Sequence, residues 1–239
     1  FSKNDMVMIG IGSLECHGTH LPLGTDALVP DYLINLIEEK TDILIAPTVP
    51  YGSCDYFLGF PGTVTLGTEC LYQVLLNIAN SLYQAGARKF VVVNGHGGNI
   101  PAIEMVAYEM NKKGVLTAIM NWWQMAKFFD PKWAGGHGGG QETAAIMAID
   151  ENLVDWEEIR DCTIGNINEE IKATGLKTVG FKNAEIVIPR NVRGISDNGW
   201  VGPDHPNTAT KEWGNEMLNT IANYITEFIK AFKGTTPNS

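Results

Sequence analysis

Glu15, His17, His20 and Asp26 fall within twelve residues of one another, in the run Gly12-Ser13-Leu14-Glu15-Cys16-His17-Gly18-Thr19-His20-Leu21-Pro22-Leu23-Gly24-Thr25-Asp26. Carboxylate oxygens mixed with imidazole nitrogens are the donor set that hard and borderline divalent cations take. Glu15 and His17, two apart, share one side of an extended segment. Asp26 comes back toward them after Gly24, so Glu15, His17 and Asp26 are candidates for a metal centre. The competing reading makes Asp26 a helix cap and Glu15 a surface charge. Cys16 lies between two candidate ligands and points to the opposite side, so it reads as a buried, inert thiol rather than a nucleophile.

Two further segments carry histidine among glycines. In Asn94-Gly95-His96-Gly97-Gly98-Asn99 the glycines let the backbone approach a ligand closely. A tight Asn-Gly turn with an incidental histidine is the alternative. A phosphate-cradling loop ranks low, because the Lys-Ser/Thr of a P-loop and the glycine spacing of a dinucleotide fold are both missing. In His137-Gly138-Gly139-Gly140-Gln141-Glu142-Thr143 a helix opens, and Glu142 in its first turn can point back into a site or simply complement the helix dipole. His-Gly-Gly-Gly also resembles the oxyanion loop of α/β-hydrolases. That fold needs a G-x-S-x-G elbow, and Gly194-Ile195-Ser196-Asp197-Asn198 is only a near miss. Trp122, Trp123 and Trp133 precede His137 and are candidates to flank it, although aromatics there are also ordinary core.

The elements that must position these residues follow from apolar patterning. Strand-like runs lie at Met6–Gly12, Ile43–Pro47, Lys89–Asn94 and Val115–Met120. Helical stripes lie between and after them: Leu71, Leu75, Ile78 and Leu82; Ile100, Ile103, Val106 and Met110; Trp213, Met217, Ile221, Ile225 and Phe228. This alternation predicts an α/β fold with a mostly parallel sheet covered on both sides. In such sheets, sites form where the chain leaves the carboxyl ends of strands. The Glu15–Asp26 and Asn94–Asn99 segments both occupy that position. Pro30 is expected in the first turn of the next helix, with Asp26 just ahead of it. Residues 159–207 carry no clear strand pattern.

Composition sets outer bounds. The chain has 239 residues, 44% of them hydrophobic, enough for one large core and a single domain over 1–239. A net charge of −10 argues against nucleic-acid partners. No apolar run reaches the ~18–20 residues that would span a bilayer, so no membrane partner is expected. The chain begins at Phe1 rather than Met, which leaves room for residues ahead of it, and no signal peptide is visible. Cys16, Cys54, Cys70 and Cys162 are scattered, which fits reduced thiols and a cytoplasmic setting.

Taken together, the motifs resemble those of the creatininase (creatinine amidohydrolase) family. Ser13 to Asp26 is similar to the family's first motif, Phe60-Pro61-Gly62-Thr63 to its second, Asn94 to Asn99 to its third and His137 to Thr143 to its fourth. Gly202-Pro203 and Ala209-Thr210-Lys211-Glu212-Trp213-Gly214 resemble its C-terminal signature. The resemblance implies a three-layer α/β/α fold and two divalent metal ions, zinc foremost, with manganese or iron as alternatives. Glu15, Asp26 and His96 would hold one, and His17, Asp26 and Glu142 the other. His137, with Glu142, would serve catalysis. Trp133, Trp123 and Gly138 would meet a small-molecule substrate, and backbone amides of Gly138–Gly140 would stabilise an oxyanion. The implied activity is hydrolysis of a C–N bond in a cyclic amide or formamide by a bridging hydroxide, and the implied assembly is a homohexamer. Hydrolysis of a cyclic sugar ketone on the same metals, or metal binding without catalysis, are the rivals. The chain departs from the family's pattern at Gly98, where creatininase proper has a ligand Glu, at Phe57, where many members have His, and at Gly140 and Gln141. Gly98 places it in a branch that includes a deformylase and a peptidase.

Overall fold

The computed structural model describes Phe1 and residues 3–235. Four strands form the main sheet: β1 (Met6–Ile11), β2 (Leu44–Val49), β3 (Lys89–Asn94) and β4 (Leu116–Asn121). They are parallel throughout, in the order β2-β1-β3-β4. The central pair, β1 and β3, is buried along its whole length, which explains its near-continuous apolar runs.

The period of two assigns each strand residue to a layer. Met6 and Met8 of β1 join Val91 and Val93 of β3 in a core that includes Val29, Leu33 and Ile37 of helix α1 (Thr25–Glu38). Helices α5 (Gly140–Asp150) and α6 (Lys211–Lys233) close that side with Ile146, Met217, Ile221 and Ile225. Val7, Ile9 and Ile11 face the other way with Phe90 and Val92. There they meet Leu71 and Leu75 of α2 (Gly67–Ala85) and Ile103, Val106 and Met110 of α3 (Ile100–Asn111). The fold is thus three-layer α/β/α with a parallel central sheet. Because all strands run the same way, the loops after Ile11, Val49, Asn94 and Asn121 converge at one end.

Two expectations are corrected. Pro30 sits inside α1, not in its first turn; the helix already begins at Thr25 and takes Asp26 into that turn. Proline lacks the N–H that would bond the carbonyl four residues back, so the Asp26 carbonyl is released from the helix ladder. Gly95 packs against it, so closely that a Cβ there would collide with the Asp26 carbonyl oxygen. Residues 159–207 are not without strands: β5 (Lys172–Ala173), β6 (Thr178–Phe181) and β7 (Ala184–Val187) form a small antiparallel sheet. β7 is exposed along its length, so burial imposes no alternation on it. Its turn, Lys182-Asn183, lacks the usual glycine, and Lys182 takes a φ of 52° instead. Between β4 and α5 lies the short helix α4 (Trp122–Phe129).

Candidate metal centre

The loop after β1 is held by its neighbours. Leu14 bridges to Val64, the Cys16 N–H donates to Thr63 Oγ1 at 3.3 Å, and the Glu15 N–H donates to the Leu23 carbonyl at 3.0 Å. The Phe60–Thr63 motif therefore serves as a brace. Glu15 and His17 turn inward and are fully buried. Cys16 turns outward into a small cluster with Cys54, Phe57 and Phe60. Burial raises its thiol pKa, which matches an inert thiol.

Inside, two groups of donors meet at Asp26. His96 Nδ1 lies 3.0 Å from Glu15 Oε1 and 3.1 Å from Asp26 Oδ2. His17 Nε2 lies 3.1 Å from Asp26 Oδ1 and 3.6 Å from Glu142 Oε2. Each triad, Glu15/Asp26/His96 and His17/Asp26/Glu142, has its donor atoms within 4.8 Å of one another. A third grouping, Glu15/His17/His137, meets the same condition, with His137 Nδ1 at 3.8 Å from Glu15 Oε1.

Each of the three histidines has its other nitrogen on a backbone carbonyl: His17 Nδ1 on Glu15 at 3.0 Å, His96 Nε2 on Ser53 at 3.1 Å, His137 Nε2 on Cys16 at 2.6 Å. A carbonyl only accepts, so those nitrogens donate and the inward ones are left with lone pairs in the neutral tautomer. This is the arrangement that orients imidazoles toward a cation. Glu15 Oε1 and Asp26 Oδ2 are buried with no hydrogen-bond partner. Buried, unpartnered carboxylate oxygens facing imidazole lone pairs are unstable as they stand and fit a divalent cation well.

Without a cation, protons take its place. Burial opposes charge on His17, but Asp26, Glu142 and Glu15 outweigh it and push the imidazole up to about 10. Burial likewise opposes charge on His96, yet Glu15 and Asp26 raise it well above its ordinary value. Burial works against the Asp26 carboxylate, but His17 and His96 hold its pKa down. Glu142 is pushed up to about 7 by burial, with Asp26 adding to it. His137 goes the other way: burial, then the charge on His17, hold it well below its usual value, so it is neutral at pH 7.

The cavity over these groups has a volume of about 380 Å³ and is lined by Asp26, His96, His137, Gln141 and Glu142, with Tyr56, Phe57, Trp123, Leu176 and Lys177 as walls. The Phe57 ring lies 4.3 Å from that of His137, centroid to centroid. Trp123 lines the cavity. Trp133 does not: it is buried in the core, outside the cavity lining, and only its carbonyl reaches toward the site, accepting from Gln141 Nε2 at 2.5 Å. Trp122 is fully buried core. Gly138 also lies outside the cavity lining. Its φ of +64° aims its N–H at Glu142 Oε2, 2.6 Å away. The Gly139 and Gly140 amides bond the carbonyls of Gly136 and Asp204. The expected oxyanion role of these three amides is therefore corrected; all are consumed in holding the loop.

Several positioning residues were not singled out from sequence. Ser13 Oγ donates to Glu15 Oε2 at 2.7 Å. Asn99 Nδ2 donates to the Gly12 carbonyl, and its Oδ1 accepts from Ser53 N–H, which ties three loops together. Asp204 accepts from the amides of Gly136 at 2.8 Å and Gln141 at 2.7 Å. Asn99 was visible inside the third motif and Asp204 next to Gly202-Pro203, but nothing local marked their partners.

A family model of creatinine amidohydrolases matches residues 1–229. The chain belongs to the creatininase family. Among curated relatives of this creatininase-family protein, it is 28% identical to the mycofactocin precursor peptide peptidase of Mycolicibacterium smegmatis, over 95% of this chain and 85% of that one. It is 27% identical to the creatinine amidohydrolase of Pseudomonas putida, over 65% of this chain and 68% of that one. Solved structures of a manganese creatininase (TM-score 0.76, 22% identity) and of a Zn-Zn type (TM-score 0.76, 23%) share the fold, each over 98% of this chain and 93% of theirs.

Proposed function

We propose that this protein is a metal-dependent amidohydrolase that cleaves the C–N bond of a cyclic amide or formamide. The observation that carries this is Asp26, whose two carboxylate oxygens each face a separate imidazole–carboxylate group. Glu15, Asp26 and His96 would hold one divalent cation, and His17, Asp26 and Glu142 the other. Zinc and manganese are the leading candidates, since structural relatives are known in both forms. When bound, two such cations supply Lewis acidity to the substrate carbonyl and make site water acidic enough to react at neutral pH.

The chain's own residues do the rest. His137 keeps its Nε2 proton on the Cys16 carbonyl, so Nδ1 is the atom free to accept a proton and to return it to the leaving nitrogen. Burial of the ring favours its neutral form, with Nδ1 unprotonated. Phe57 and Trp123 supply aromatic wall to the cavity, a surface suited to a planar ring. The Gly138 amide and the Asp204 clamp keep Glu142 and His137 in register.

A second reading, cleavage of a peptide amide by the same groups, is favoured by an adjoining cavity of about 520 Å³ that shares Gly135, Gly136, His137 and Leu176 with the first. It would give room to a longer chain, and a peptide peptidase is among the relatives. The resemblance further suggests a homohexamer, which mass measurement in solution tests.

Elemental analysis before and after Asp26→Asn is the deciding experiment. About two equivalents of transition metal in the wild type, lost in the variant together with hydrolysis of creatinine or a formamide, is the expected result. A wild type that takes up no metal on reconstitution removes the proposal.

A further inference from the structure

The wall of the cavity formed by the turn before β6 carries Leu176, Lys177 and Thr178. The Lys177 carbonyl accepts from the Ile188 N–H at 2.8 Å, which ties this turn to the chain leaving β7. Lys177 is the one Lys or Arg among the residues lining this cavity, and the adjoining cavity has none. Its ammonium stands 4.9 Å from the centroid of the Tyr56 ring, itself a cavity wall.

Among the described residues no carboxylate forms an ion pair with Lys177, as is also true of several other lysines, so its charge is not neutralised by a neighbour. Nearby Arg193 is committed to the carbonyls of Gly59 and Asp197. What distinguishes Lys177 is its place: it puts a positive charge on the wall of the cavity over the candidate centre. The aromatic face localises the ammonium without using its N–H donors. Asp26 and Glu142, which also line this cavity, would be taken up with the cations they hold. Lys177, on the wall beside Tyr56, offers a separate positive point that attracts an anionic end of the substrate and leaves its amide to the centre.

We propose that Lys177 is the specificity-determining contact for an anionic group, carboxylate or phosphate, on the amide substrate. This rests on the hydrolase reading for the amide and goes beyond it in naming the substrate's charge.

The test is calorimetric binding to metal-loaded protein in a His137→Ala background, which separates recognition from turnover. The probes are N-formylglycine, N-formylaminomethylphosphonate and the neutral N-formylglycinamide. The expected result is tighter binding of an anionic probe than of the neutral one. Lys177→Met should cut that ratio about tenfold, the loss of one charge-assisted contact. Lys177→Arg should keep most of it. Whichever anion binds tighter identifies carboxylate or phosphate as the group recognised. Metal content and melting temperature of Lys177→Met, equal to those of the background, show that the fold and the centre are intact. No preference for an anion, or the same preference in Lys177→Met, overturns the proposal. If the wild type hydrolyses neither the formyl probes nor creatinine while the charge-dependent ratio persists, the hydrolase reading falls and the recognition role stands.

Discussion

At the scale of the residue, the site is organised by what each imidazole does with its second nitrogen. His17, His96 and His137 all spend it on a backbone carbonyl, yet their surroundings separate their roles. His17 and His96 face carboxylates that favour charge or a cation. His137 faces burial and a neighbouring charge that keep it neutral. His137→Ala should therefore retain bound metal but lose about 10²–10⁴-fold in turnover, the range for a lost general acid–base group. Full metal with unchanged turnover would contradict that assignment.

His20 gives a test of pH dependence. It is 2% exposed, and its Nε2 bonds Thr143 Oγ1 at 3.0 Å. Burial, followed by the charges of His17 and His205, lowers its pKa from 6.5 to about 4. The folded state thus prefers the neutral ring. Its contribution to stability is full above pH 6.5 and is lost as the pH falls to about 4, of order 3 kcal/mol in all. Denaturant midpoints measured across that window should fall with pH, and His20→Gln should flatten the fall.

At the scale of the element, the glycine-rich loop ahead of α5 is the piece that must be held. Both carboxylate oxygens of Asp204 accept from its amides, and its carbonyl accepts from Gly140. Asp204→Ala leaves the Gly136 and Gln141 amides without partners, at a cost of about 2–4 kcal/mol. That should lower the melting temperature by several degrees in a chain of this size and lower turnover as well. A melting temperature within a degree of wild type would mean that water replaces the carboxylate. The same loop shows why its glycines were misread. A Gly-Gly-Gly run after a histidine signals free backbone amides, but those of Gly138 and Gly139 are taken within the loop by Glu142 and Gly136, and that of Gly140 by Asp204, far away in sequence.

At the scale of the whole molecule, the candidate ligands come from the loops after β1 and β3 and from the first turns of α1 and α5. A bound cation would therefore cross-link these loops and helices in addition to the hydrogen bonds that already tie them. Metal that binds the folded chain and not the unfolded one stabilises it by mass action, about 4 kcal/mol at a thousandfold excess over Kd. Chelation should lower the melting temperature, and zinc or manganese should restore it. Identical melting curves with and without chelator would argue against a resident metal. Among the described residues no helix is long and apolar enough to cross a membrane.

Much of this was legible in the amino-acid order alone. The four parallel strands announced themselves as apolar runs, most fully in the central pair β1 and β3, which is buried along its whole length. The helix stripes named part of each core, Met217, Ile221 and Ile225 on one side and Leu71, Leu75, Ile103, Val106 and Met110 on the other. Glu15 and His17 were paired, and Cys16 turned away, by strand periodicity, a local rule that needs no tertiary knowledge. Other features were decided only by the folded chain. Which oxygen of Asp26 meets which imidazole, the use of the Gly138–Gly140 amides, Trp123 on the wall and Trp133 in the core, and Lys177 above the cavity all depend on contacts between distant segments. Periodicity records which face of an element is buried, and it carries no information about which partner buries it. That choice is made by packing, and at this site packing joins residues from Ser13 to Asp204.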